Sequence, residues 1–87
     1  MSADPPIYSF RYKHDPARHK HIGPMAQDVM RRFPDKVSSG SDGFLRIKMD
    51  DLPPGITAND LAQPVQRADH ATAMWRWAKV FDYWSKQ

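Results

Sequence analysis

The sequence of 87 residues contains no cysteine and no glutamate. The first absence excludes a disulfide framework, a thiolate zinc site, an iron–sulfur cluster and a cysteine nucleophile. The second leaves aspartate as the source of all ten acids, and this short carboxylate favours turns and caps over helix interiors. No apolar run approaches the ~20 residues that span a bilayer. The opening MSADPP has neither the basic start nor the apolar core of a signal peptide. Glycine is scarce at four, proline plentiful at eight, and internal repeats and low-complexity tracts are missing. A chain of this size and 40% apolar content makes one loop-rich globular domain, marginal as a lone monomer.

The net charge of +3 is mild and permits a polyanionic partner without arguing for one. Its distribution is uneven. Residues 7–36 carry seven cations against Asp15, Asp28 and Asp35, together with His14, His19 and His21. Arg11, Lys13, Arg18, Lys20, Arg31 and Arg32 are the candidate basic patch. With aromatics nearby to stack, nucleic acid is a permitted but less favoured partner.

Periodicity sets the elements. Tyr8, Phe10 and Tyr12 alternate with Ser9, Arg11 and Lys13, which predicts a half-buried strand over 7–13. Asp15-Pro16 marks a loop, and His21-Ile22-Gly23 fits a short second strand. Pro24 suits the first position of a helix over 24–33, where Met25, Ala26, Val29, Met30 and Phe33 form one stripe. Val37 to Ser41 reads as a polar link and Asp42-Gly43 as a turn. Leu45, Ile47 and Met49 alternate with Phe44, Arg46 and Lys48 in a strand over 44–49. Pro53-Pro54-Gly55 breaks the chain, and Thr57 with Asp60 predicts a capping box opening a short helix over 58–63.

Residues 65–86 form the longest element. Met74, Trp77, Phe81 and Trp84 recur at three, four and three residues, the seam of a helix that packs on another helix. Trp75 lies roughly 200° from Trp77 around the helix. A helix apolar on more than one side is expected to meet a partner. Met74, Trp75, Trp77, Phe81 and Trp84 are therefore the candidate interface. The expected class is α+β: an antiparallel strand platform in 1–52, a connector over 53–64 and a C-terminal helix in 65–87, all in one compact domain.

Chemistry finds little purchase. His14, His19 and His21 match no metal motif, so no metal or cofactor is expected. His70 reads as a surface or interface residue. Ser38, Ser39 and Ser41 lack a G-x-S-x-G elbow and read as turn formers. Asp50-Asp51 reads as a cap rather than an acid/base pair.

The succession Y-x-F-x-Y (Tyr8, Phe10, Tyr12), H-I-G-P-M-A-Q-D-V (His21 to Val29), F-P-D-K-V, D-G-F-L-R-I and D-D-L resembles the C-terminal intramolecular chaperone domain of endosialidase-type phage tail spikes and fibres. The resemblance covers about half of the chain. It implies a helix-and-strand unit that trimerises through C-terminal helices, assists fibre assembly and is released by self-cleavage. Gly23, Met25, Ala26, Gln27 and Val29 become a structural motif, with a tight backbone at Gly23 and with Met25 and Val29 packed inward. The family's cleavage segment reads S-D-x-R-L-K, upstream of the first strand. This sequence does not carry it there. Ser41 to Arg46 echoes it in the wrong place and with arginine for lysine, and a guanidinium cannot serve as a base. The expectation is a non-enzymatic protein without catalytic residues, phage-derived, in a host cytoplasm or on a virion. It would self-associate, as a trimer by resemblance, or bind a host protein or nucleoprotein as a small inhibitor.

Overall fold

The computed structural model describes residues 4–65 and 69–87. The fold is α+β, and the described residues form two separate antiparallel hairpins and three α-helices. Strand β1 (Ile7–Arg11) pairs with β2 (Lys20–Pro24), placing Tyr8 opposite Gly23 and Phe10 opposite His21. The loop between them is tied by Asp15. Its carboxylate accepts hydrogen bonds from the backbone N–H groups of Ala17 and His19, both at 3.0 Å, and lies 2.9 Å from His19 Nδ1.

Pro24 ends β2 as the partner of Ile7 instead of opening the helix. At a strand end its missing N–H is as harmless as at a helix start. Helix α1 (Ala26–Arg32) begins two residues later, with Met25 as its N-cap. A 3-10 turn over Pro34–Lys36 follows. The expected polar link then proves to be strand β3 (Val37–Ser39), paired with β4 (Leu45–Ile47). The turn joining them uses Gly43 at φ 84°, a conformation glycine adopts at little cost, and Asp42 accepts from the Phe44 N–H at 3.1 Å. The expected strands over 7–13 and 44–49 therefore do not pair with each other. Each is shorter than expected and takes its own neighbour.

Helix α2 (Ala58–Ala62) has the capping box foreseen from its sequence: Thr57 Oγ1 accepts from the Asp60 N–H at 3.1 Å, and Asp60 Oδ2 accepts from the Thr57 N–H at 3.0 Å. Helix α3 (His70–Ser85) starts later than the expected 65. Val65 is outside it and donates its N–H to the Lys20 carbonyl at 2.8 Å, which prolongs the edge of β2. Residues 66–68 of the expected helix lie outside the described residues.

The core forms where α3 meets everything else. Val29 from α1, Phe33 at its C-cap, Ile56, Leu61 from α2, and Trp77, Val80, Phe81 and Trp84 from α3 make one buried cluster. Phe33 stacks on Phe81 at 6.0 Å between centroids and meets Trp84 edge-on at 5.4 Å. Two indoles anchor the helix to the rest of the chain. Trp77 Nε1 donates to the Ile22 carbonyl at 3.2 Å, and Trp84 Nε1 donates to the Asp51 carbonyl at 2.6 Å. Asp51 also accepts from Lys36 Nζ at 2.7 Å, and that ammonium lies 3.3 Å from Gln87 Oε1. The last turn of α3 is thereby joined to the end of the first half of the chain.

Candidate functional site

The G-P-M-A-Q-D-V block does two jobs. Gly23 lets an indole approach the backbone, since a Cβ there would lie 3.2 Å from Trp77 Nε1. Val29 is wholly buried on the inner face of α1. Met25 does not pack inward as expected: it is 38% exposed, because it caps α1 from outside instead of lying on its buried face. Ala26 is half-buried and Gln27 exposed.

Above the block lies an open apolar cleft of about 450 Å³. The first hairpin lines it with Phe10, Tyr12 and His21, the second with Leu45 and Ile47, and Trp77 closes its floor. His21 stacks on Phe10 at 5.6 Å and meets Tyr12 edge-on at 4.9 Å, so three rings form one wall. The aromatic face of β1 is thus not the half-buried core face that its alternation predicts. Tyr8 and Tyr12 are 44% and 50% exposed, because the two hairpins stand apart without a layer between them. A second hollow shares Met25, Ala26 and Leu45 with the cleft and extends it to Phe44. Phe44 is 70% exposed at the tip of the second hairpin. Its assignment to the polar side of the strand, beside Arg46 and Lys48, was the sequence signal for an unburied ring.

The expected interface on α3 divides in two. Trp77, Phe81 and Trp84 are at most 3% exposed and belong to the protein's own core. Met74 and Trp75 face outward. Spacing that suits a seam between chains suits a helix packed on its own domain equally well.

The six candidate cations fall in two groups, four about the loop of the first hairpin and two at the end of α1. Arg11 and Lys20 are cross-strand neighbours at the loop end of the first hairpin. Lys13 and Arg18 are exposed in its loop. Arg31 and Arg32 belong to the last turn of α1. Arg31 lies 3.4 Å from Asp28, while Arg32 covers the Phe33 ring at 4.6 Å and reaches Ser85 Oγ at 3.4 Å. Lys20 Nζ stands 3.4 Å from His70 Nδ1.

Nor do the candidate reactive groups converge. His19 is held by Asp15 and His21 by two aromatic rings. Among the described residues no three histidine or aspartate side chains gather as metal ligands. Ser38 and Ser39 lie exposed in β3, Ser41 in the turn after it, and no hydrogen bond among the described residues joins them to a histidine. Asp51 serves as the partner of Lys36, whose hydrogen bond holds its carboxyl below the ordinary carboxylate value. Among the described residues no helix is long and apolar enough to cross a membrane.

Residues 4–38 match the model of the family described as chaperone of endosialidase, over less than half of the chain. No curated protein and no solved structure matches. The matched segment contains β1, β2, α1 and the start of β3, and hence the first-hairpin wall of the cleft and the glycine beneath Trp77.

Proposed function

We propose that this protein is a non-enzymatic, chaperone-like assembly domain of phage origin that works by self-association. The match to the endosialidase chaperone over residues 4–38 supports the chaperone-like assembly role and a setting on a virion or in a host cytoplasm. The observation that carries the mode of action is the continuous apolar surface from Tyr12 through Met25 to Phe44. Exposed aromatic and apolar side chains gathered along one cleft suit contact with another apolar surface. This surface takes over the role that the sequence assigned to the α3 seam, which is buried. Each aromatic side chain can remove ~150–250 Å² from water on association, so a few rings from each copy make a specific contact. Three copies is the stoichiometry that the resemblance implies.

Sedimentation equilibrium tests this reading. The wild-type chain is expected to associate at micromolar concentration. Phe44→Asp and Tyr12→Asp should both sediment as monomers while keeping the far-UV circular dichroism of the wild type, because neither side chain is in the core. A wild type that stays monomeric at all concentrations would overturn the reading. So would variants that associate as well as it does.

A further inference from the structure

A second surface lies along the outer side of α3. There Trp75 is 57% exposed, in a groove of about 530 Å³ between the helix and the Pro53-Pro54-Gly55 turn. Ile56 and Tyr83 supply further apolar lining. The charged lining is Arg76, Lys79, Lys86 and Asp82. Lys86 lies 3.0 Å from Asp82 and so answers its charge. Lys79 has no carboxylate within ion-pair distance among the described residues, and its ammonium sits 5.5 Å from the Trp75 ring centre. Arg76 likewise makes no close ion pair among the described residues. The groove thus joins an unburied indole and a proline wall to two cations that make no direct ion pair among the described residues, Arg76 acting only at longer range on Asp60.

We infer that this groove docks a short, extended, acidic segment of a partner protein. An apolar side chain of that segment rests on Trp75 and Pro54, and its carboxylates meet Lys79 and Arg76. Charge complementarity selects the occupant. A carboxylate that displaces the Lys79 ammonium from solvent gains a charge-assisted hydrogen bond, and the indole gives the apolar anchor typical of peptide hot spots. A nucleic-acid strand fits less well, since with Lys86 engaged by Asp82 only Lys79 and Arg76 are left to meet anions, a number that suits two peptide carboxylates better than a continuous phosphate trail. From Trp75 to Lys86 the helix rises ~16 Å, the reach of about five extended residues. This groove and the cleft beside β1 are lined by different residues, so the inference stands apart from the self-association reading.

The test uses the full chain and a fluorescein-labelled peptide of about five residues, with glutamates flanking a leucine and a phenylalanine. Fluorescence anisotropy should show saturable binding that weakens with salt. Lys79→Glu and Trp75→Ala should each weaken it by roughly ten-fold or more. A peptide with lysines in place of the glutamates should not bind. Both substituted side chains are exposed, and unchanged circular dichroism confirms the fold. Absence of saturable binding, or binding indifferent to both substitutions, would overturn the inference. Tighter binding of an oligothymidylate of similar length would assign the groove to single-stranded nucleic acid instead.

Discussion

Gly23 and Trp77 show how one residue type answers another fifty-four positions away. The indole N–H needs an acceptor inside the core and finds the Ile22 carbonyl. A side chain at the next residue would crowd it, since a Cβ at position 23 would lie 3.2 Å from the indole nitrogen. Gly23→Ala should therefore displace the indole and cost about 1–3 kcal/mol, read as a lower urea midpoint with an unchanged slope. Trp84→Phe keeps most of the ring volume but leaves the Asp51 carbonyl without its donor. The expected cost is again about 1–3 kcal/mol. The block that includes Gly23 was legible in the sequence as a structural motif. The indole above it was not, because nothing in local spacing links positions so far apart.

At the level of elements, the regular patterns were read well and the short ones poorly. The capping box of α2 appears as expected, and burial alternates over Leu45, Ile47 and Met49 although the strand itself ends at Ile47. Strand β3 was invisible because two of its three residues are exposed serines and its pairing comes from β4. Pro24 misled because its lost N–H suits a strand end and a helix start alike. Removal of the α2 cap by Thr57→Ala should cost about 1 kcal/mol in thermal or urea unfolding.

The Lys36–Asp51 pair belongs to this scale too, since it connects the 3-10 turn to the loop before α2 and to the end of α3. The hydrogen bond from Lys36 keeps the Asp51 carboxyl below its usual 3.8, and Asp51 in turn raises the Lys36 ammonium above its usual 10.5. A lowered carboxylate stabilises the fold fully above 3.8 and stops doing so as pH falls through its folded-state value. A raised ammonium stabilises fully below 10.5 and ceases to as pH climbs through its own. Stability should thus be level near neutrality and fall on strong acidification. Asp15, Asp42 and Asp60, each held down by backbone N–H donors, add to the acid loss. Asp51→Asn should lower stability at neutral pH and flatten the acid limb, as measured by urea titrations across pH.

For the molecule as a whole, the sequence announced more apolar ring surface in its last third than its own core could hold, yet three of the five rings there, Trp77, Phe81 and Trp84, are buried and Tyr83 is partly so. Helix periodicity defines a face but not what covers it, so Trp77, Phe81 and Trp84 were legible as a packed stripe and not as an intramolecular one. Trp77→Asp should therefore unfold the chain instead of yielding soluble monomers. The exposed aromatics lie elsewhere, around the cleft between the hairpins and on the outer side of α3, and these are the surfaces left for partners. Exchange of the three indole N–H protons with solvent, followed by NMR over a dilution series that reaches the monomer, tests this division most directly. The Trp77 and Trp84 protons should stay protected at every concentration while the Trp75 proton exchanges freely. Protection of Trp77 and Trp84 that disappears on dilution would contradict the account and return α3 to the role of a seam between chains.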